Sequence, residues 1–161
     1  MKKILFTRHA KSSWSDTNLS DHDRPLNKRG IKSARMLSET MRDEFEKVQE
    51  IYVSSAKRAQ ETAKILQLNR SKMSTHKNLY TFNFSELEAF IYSLDASANY
   101  IQLIGHNPAF TDFVNMHSFV SVDNIPTCGM VILQWDIASS WKDIQFEKAR
   151  LLLFDTPKRY G

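Results

Sequence analysis

Cysteine is nearly absent from this chain of 161 residues, in which Cys128 is the single example. One thiol excludes an intramolecular disulfide, and the lack of a redox motif around it favours a reducing compartment. No apolar run approaches the roughly 18 residues that span a bilayer. The apolar stretch after Met1-Lys2-Lys3 is too short for a secretion signal. These absences predict a soluble, cytoplasmic protein without a membrane partner.

Blocks of like charge are also missing, and the net charge is only +4 with a pI near 9.2. Such a balance suits anionic substrates, but no motif indicates a nucleic-acid partner, and a solvated basic surface is the ordinary interpretation. His22, His76 and His117 lack the spacing of metal ligands, so we predict no metal and no cofactor. Nothing in the sequence requires an oligomer, which leaves a monomer as the expectation.

Short apolar runs alternate along the chain with segments of helical periodicity. Asn27 is the predicted N-cap of the first helix, Ser54 or Ser55 that of the second, and Ser85 with Glu88 forms a predicted capping box for the third. Pro108 fits the first position of a fourth helix. The predicted strands are 4–7, 51–53, 73–76, 100–104, 130–135 and 149–154.

This alternation predicts one domain over residues 1–161, with no repeat and no linker. The expected fold is a three-layer α/β/α sandwich with a mostly parallel central sheet. The last two strands are close enough in sequence to form an antiparallel edge.

Four chemically active side chains follow predicted strands. Arg8 and His9 follow the first strand, Arg58 lies in the helix after the second, and His106 follows strand 100–104. Because parallel strands end at one edge of a sheet, we expect these groups to converge there. Arginine offers paired donors that match phosphate oxygens, and a neutral histidine ring is a nucleophile. The backbone amide of Asn107, at a helix start, would add a donor.

Four motifs carry a family resemblance. The blocks are Thr7-Arg8-His9-Ala10, the run Arg-Pro-Leu-Asn-Lys-Arg-Gly at 24–30, the run Ser-Ser-Ala-Lys-Arg-Ala-Gln-Glu-Thr-Ala at 54–63, and Gly-His-Asn-Pro at 105–108. In this order they resemble the histidine phosphatase (phosphoglycerate mutase-like) superfamily. The short length and the Asp-Arg-Pro-Leu form are similar to its branch of small SixA-like phosphohistidine phosphatases.

The resemblance implies that His9 is the nucleophile that becomes phosphorylated, with Arg8, Arg58 and His106 completing the phosphate pocket. Ser15 falls where larger relatives use an asparagine to contact the phosphate, so it is a further predicted phosphate ligand. Adjacent arginines are expected to lower the pKa of His9 and keep its ring neutral.

The general acid of the larger relatives has no clear counterpart, because the segment 78–82 contains no carboxylic acid. Asp21, Asp23 and Glu86 are the remaining candidates. We hypothesise that the substrate needs little protonation, since a phosphohistidine already protonated on its ring releases neutral imidazole whereas an alkoxide needs a proton.

The resulting interpretation is a metal-independent phosphatase that acts through a phosphohistidine intermediate. Its partner would be a phosphorylated protein, carrying phosphohistidine, or a small activated phosphate. Two alternatives stay open: a phosphomutase of the same superfamily, and a non-catalytic phosphate-binding module. The short chain leaves little sequence for a lid, which favours an open site over the closed pocket that a mutase needs.

Overall fold

A single mixed sheet forms the centre of the computed structural model, which describes residues 1–160. Its strands are β1 (Lys2–Arg8), β2 (Glu50–Ser54), β3 (Met73–His76), β4 (Tyr100–Gly105), β5 (Met130–Trp135) and β6 (Arg150–Asp155). They are ordered β3-β2-β4-β1-β5-β6. The first four in that order are mutually parallel, while β5 runs antiparallel to both β1 and β6. The predicted mostly parallel sheet with an antiparallel edge is therefore confirmed.

Helices cover both faces of this sheet. They are α1 (Lys28–Thr40), α2 (Arg42–Lys47), α3 (Lys57–Ile65), α4 (Phe84–Tyr92) and α5 (Ala109–His117). Alternate residues of β1 enter opposite cores: Phe6 packs in a cluster with residues of α4 and α5, whereas Leu5 joins residues of α1 and α3. The three-layer prediction is thus confirmed. None of the helices within residues 1–160 has the length and apolarity that a membrane crossing requires.

The helix caps differ from the prediction at three of the helices. Asn27 caps α1 as expected, accepting a hydrogen bond from the backbone N–H of Gly30 at 2.8 Å. The predictions for α3 and α4 were wrong: α3 follows Ala56 without a side-chain cap, and the cap of α4 is Asn83. Pro108 occupies the N-cap of α5, one position before the predicted one.

Gly30 lets the first turn of α1 approach the loop after β1. A Cβ atom on this glycine would lie 2.1 Å from the carbonyl oxygen of Lys11. The same carbonyl accepts a hydrogen bond from the backbone N–H of Asn27 at 3.0 Å. Any larger residue would push the two segments apart, so the glycine fixes the position of the loop that begins at His9.

Candidate active site

The carboxyl ends of β1, β2 and β4 meet over one open cavity of about 320 Å³. Its lining brings together side chains from distant parts of the sequence: Arg8, His9, Lys11, Ser12, Trp14, Asp21, Arg24, Arg58, Phe82, Asn107 and Thr127. A larger cavity of about 520 Å³ beside α3 has no histidine in its lining. Another cavity, of about 450 Å³, contains His117 and Lys148 but also Glu88 and Glu147, whereas the cavity at the sheet edge combines His9 with three arginines.

His9 follows β1 and is held in one tautomer by its own loop. Its Nδ1 atom lies 2.7 Å from the carbonyl oxygen of Ala10. Because a carbonyl only accepts hydrogen bonds, Nδ1 carries the proton of the neutral ring and Nε2 keeps its lone pair. The Nε–H of Arg58 donates towards this Nε2 at 3.4 Å. The ring is thus oriented with its unprotonated nitrogen beside a guanidinium group.

Both site histidines are neutral at physiological pH. Burial is the largest cause that lowers the pKa of His9, and together with the charges of Arg58, Arg8 and Arg24, against a raising effect of the Ala10 carbonyl, it brings the pKa to about 3. Burial, followed by the neighbouring His9 and Arg58, lowers the pKa of His106 to about 2. The predicted effect of the arginines has the right direction, although burial is the larger cause.

The low pKa of His9 predicts that the free energy of unfolding decreases as the pH falls. Since the folded pKa of His9 lies below the ordinary 6.5, the unfolded chain binds the proton first as the pH falls, and stability is lost between pH 6.5 and 3. We expect the wild type to lose about 2 kcal/mol more free energy of unfolding between pH 7 and pH 5 than the variant His9→Gln. Urea unfolding of both proteins at the two pH values measures this difference, and equal losses would contradict it.

Asp21 connects the two buried arginines of the cavity. Its carboxylate accepts hydrogen bonds from Arg58 at 3.0 Å, from Arg24 at 3.1 Å and from the hydroxyl of Tyr80 at 2.6 Å. Its backbone carbonyl accepts a second bond from Arg58 at 2.6 Å. Asp21 therefore fixes the guanidinium planes that line the cavity.

None of the candidate acids is placed to donate a proton at neutral pH. Partial burial opposes ionisation of Asp21, but hydrogen bonds from Tyr80 and Arg58 outweigh it and lower the pKa to about 2. Asp23 pairs with His22 at the surface, and its pKa is lowered as well. Glu86 accepts a hydrogen bond from Thr81 at 2.7 Å and lies outside the cavity lining.

His106 is held by the residue that ends β2. Its Nε2 lies 2.7 Å from Ser54 Oγ, and its ring centroid lies 5.2 Å from that of His9. The other ring nitrogen, Nδ1, is buried without a hydrogen-bond partner within residues 1–160, and so is Nε of Arg8. Unpaired buried polar atoms are costly, and two of them lie on residues of this site. Arg8 belongs to the cavity lining and His106 does not, although the ring of His106 packs against those of His9 and Phe82, which do.

Two further predicted ligands are placed differently. Ser15 is exposed, with its hydroxyl 2.8 Å from that of Ser13, and it is outside the cavity lining. Asn107 lines the cavity, but its side-chain amide donates to the carbonyl of Ile125 at 2.8 Å and its Oδ1 accepts from Thr111. The side chain of Asn107 is therefore engaged within the protein, and a role for its backbone amide stays a prediction.

Three contributors to the site have a different role from the predicted one, or had none predicted. Ser54 or Ser55 was predicted as a helix cap, and Ser54 holds His106 instead. Arg24, only 7% exposed, lines the cavity, and Asp21 is an anchor and not an acid. The motif at 24–30 contains Arg24, so its position there was the available signal. No group of three or more His, Cys, Asp or Glu side chains in the described chain is placed to hold a metal ion.

Fold and site together define an α/β protein with an open, cationic cavity that contains a buried histidine and is large enough to admit a phosphoryl group. The chain belongs to the histidine phosphatase superfamily, because the model of branch 1 of that superfamily matches residues 4–122. Membership supports an activity of the phosphatase or phosphomutase type that uses a histidine.

Comparisons with individual proteins agree with this family. A proposed phosphohistidine phosphatase, SixA, from Nakamurella multipartitia is 20% identical with a TM-score of 0.80, over 97% of this chain and 96% of that one. The protein histidine phosphatase SixA complexed with tungstate is 16% identical with the same TM-score of 0.80, over 99% of both chains. An uncharacterized chloroplastic protein of Arabidopsis thaliana is 27% identical over 88% of this chain and 70% of its own length.

Proposed function

We propose that this protein is a metal-independent phosphatase in which His9 attacks phosphorus through Nε2. The observation that carries the proposal is the state of that atom: it is unprotonated, buried and beside the guanidinium of Arg58 in a cationic cavity. A module that only binds phosphate needs the positive charge but has no use for an oriented, proton-free imidazole nitrogen.

Three cationic or donor groups would hold the transferred phosphoryl group. Arg8 and Arg58 line the cavity, and their planar donors match non-bridging oxygens. If the hydroxyl of Ser54 donates to Nε2 of His106, Nδ1 of that ring carries a proton directed to a third oxygen. Such donors stabilise the charge that develops on the phosphoryl oxygens in the transition state. The tungstate bound by the SixA relative is an anion of the same tetrahedral shape.

The reaction has two displacements. Nε2 of His9 forms a bond to phosphorus while the bond from phosphorus to the leaving atom breaks, which gives a phosphohistidine. Water then attacks phosphorus, the bond to Nε2 breaks, and inorganic phosphate leaves while the proton of water passes to solvent. The cavity is open, so water reaches the intermediate and hydrolysis is favoured over the return of the phosphoryl group that a mutase requires.

The substrate class follows from the missing acid. Asp21 is ionised, and neither Asp23 nor Glu86 faces the cavity with a proton. We therefore propose phosphohistidine of a protein, or a small phosphate with an equally good leaving group, as the substrate. A protonated imidazole departs as a neutral molecule and needs no donor.

Turnover of three leaving groups tests this assignment. We expect phosphohistidine and phenyl phosphate to be hydrolysed at least about 100-fold faster than an alkyl phosphate, since general acid catalysis contributes about that much where an acid is present. The measurement is phosphate release at matched substrate concentrations. Equal or faster turnover of the alkyl ester would show that an acid operates in the site.

Trapping the intermediate tests the nucleophile. Wild-type protein is mixed with phosphoramidate, quenched in alkali, which preserves phosphohistidine, and digested for mass spectrometry. We expect one phosphorylated peptide that contains His9, and loss of the label after acid treatment. A label on another residue, or turnover that a chelator abolishes, would contradict the mechanism.

A further inference from the structure

Two exposed aromatic rings stand at the rim of the catalytic cavity. Trp14, in the loop after β1, is 73% exposed, and Phe82, in the loop before α4, is 46% exposed. Both side chains belong to the cavity lining. Other exposed rings, such as those of Phe119 and Phe146, lie away from this cavity. Large apolar surface left in water next to a polar pocket marks a contact site.

Trp14 is held in place although it is exposed. The guanidinium carbon of Arg24 lies 3.5 Å from the centroid of the indole ring. Arg24 is itself fixed, because it donates to Ser12 Oγ at 2.7 Å and to the carboxylate of Asp21 at 3.1 Å. One face of the indole is thus covered by a buried cation, and the ring remains largely open to solvent. Because the indole ring of Trp14 is already ordered, little side-chain entropy is lost when a ligand binds against it.

Phe82 is tied to the catalytic end of the same cavity. Its ring packs edge-on against His106, with centroids 5.5 Å apart, and against Tyr80, with centroids 5.6 Å apart. Tyr80 in turn donates a hydrogen bond to Asp21 at 2.6 Å. The ring of Phe82 is therefore connected by direct contacts to the groups that would surround the phosphoryl oxygens.

We propose that Trp14 and Phe82 form a leaving-group subsite that recognises a planar ring attached to the phosphoryl group. The inference rests on the proposed function, because it places the part of the substrate that departs from phosphorus. A phosphoryl group in the cationic cavity would direct its substituent to the rim, where the two aromatic surfaces lie. An imidazole or phenyl ring offers a flat partner for stacking, which an aliphatic chain lacks. Both residues are then specificity-determining.

Binding of two non-hydrolysable ligands tests the subsite without any turnover. Phenylphosphonate and cyclohexylphosphonate have the same anionic group and rings of similar size, and only the first ring is flat and aromatic. Calorimetric titration gives the ratio of their dissociation constants. We expect wild type to prefer the phenyl ligand, and Trp14→Leu and Phe82→Leu each to reduce that preference about fivefold, the part of a ring–ring contact that exceeds simple area burial.

The controls separate this subsite from the phosphate pocket. Phe146→Leu removes an exposed ring elsewhere and should leave both the preference and the affinity for inorganic phosphate unchanged. In the rim variants, the ratio between the two phosphonates cancels any change in affinity for the anionic group that they share. An unchanged phenyl preference in both rim variants would overturn the proposal, as would equal binding of the two ligands by wild type. Failure of the proposed function would show instead as absent turnover and absent labelling of His9, which this binding experiment does not use.

Discussion

Replacing His9 by alanine is expected to reduce phosphate release by at least about 10⁴-fold, to the level of the phosphate pocket acting alone. The reason is that Nε2 of His9 is unprotonated and lies 3.4 Å from Nε of Arg58. His106 is the other buried histidine of the site, but its Nε2 is engaged by Ser54. Phosphate release from phosphohistidine and from phenyl phosphate, in the presence of a chelator, measures the loss.

The matched control is His76→Ala, which removes a histidine from β3, outside the cavity lining. We expect it to retain wild-type turnover per folded molecule. The backbone bonds around His9 do not depend on its ring: its N–H donates to the carbonyl of Gly105 and its carbonyl accepts from Cys128. The His9→Ala variant should therefore still fold, which a cooperative thermal unfolding transition would show, and it should still bind inorganic phosphate. Saturable turnover by that variant would place the nucleophile elsewhere.

The convergence of the site could be predicted because it depends on topology. Arg8 is the last residue of β1 and His106 directly follows β4, and the two strands pair in parallel with Arg8 opposite Gly105, so the separation of these residues is fixed by the sheet register. Arg58 comes from the first turn of α3, directly after the neighbouring strand β2. Apolar runs and helical periodicity identify such strands and helices without any knowledge of the loops.

The loops were the part that the sequence left open. Ser12 and Ser15 both lie in the segment between β1 and α1, where no hydrophobic periodicity distinguishes the exposed Ser15 from Ser12, which lines the cavity. The role of Asp21 depends on its meeting Arg58 and Tyr80, which are 37 and 59 positions away. An acid with such partners is ionised, whereas the same residue in an apolar loop would keep a proton.

The helix caps also show that local sequence does not reveal long-range contacts. Ser54 and Ser55 are of a residue type that caps helices, yet the hydroxyl of Ser54 contacts His106 across the site. Local rules predict a cap wherever serine precedes a helix, but α3 begins at Lys57 with Ala56 at the N-cap, so Ser54 lies two residues too early to cap it. The mismatch between local rule and structure therefore falls on a residue that supports the site, as expected when function competes with local preference.

Replacing Arg58 by alanine is expected to lower kcat by about 100- to 1,000-fold, the usual cost of losing one donor that stabilises transition-state charge. Arg58 is 2% exposed and combines two roles, since its Nε orients the nucleophile and its terminal nitrogens are held by Asp21. Arg58→Lys should recover little activity, because an ammonium has no planar pair of donors. Arg35→Ala, on the exposed face of α1, should behave as wild type.

A double-mutant cycle shows whether Asp21 acts through Arg58. Asp21→Asn alone should lower kcat about tenfold. Without its charged anchor, the guanidinium of Arg58 would spend less time in the position from which it donates to the phosphoryl oxygens. In the Arg58→Ala background the same substitution should have almost no further effect, because the group that it positions is gone. Steady-state kinetics of the four proteins on phenyl phosphate gives the coupling. Independent, multiplicative losses would show that Asp21 contributes directly to the reaction and not through the orientation of Arg58.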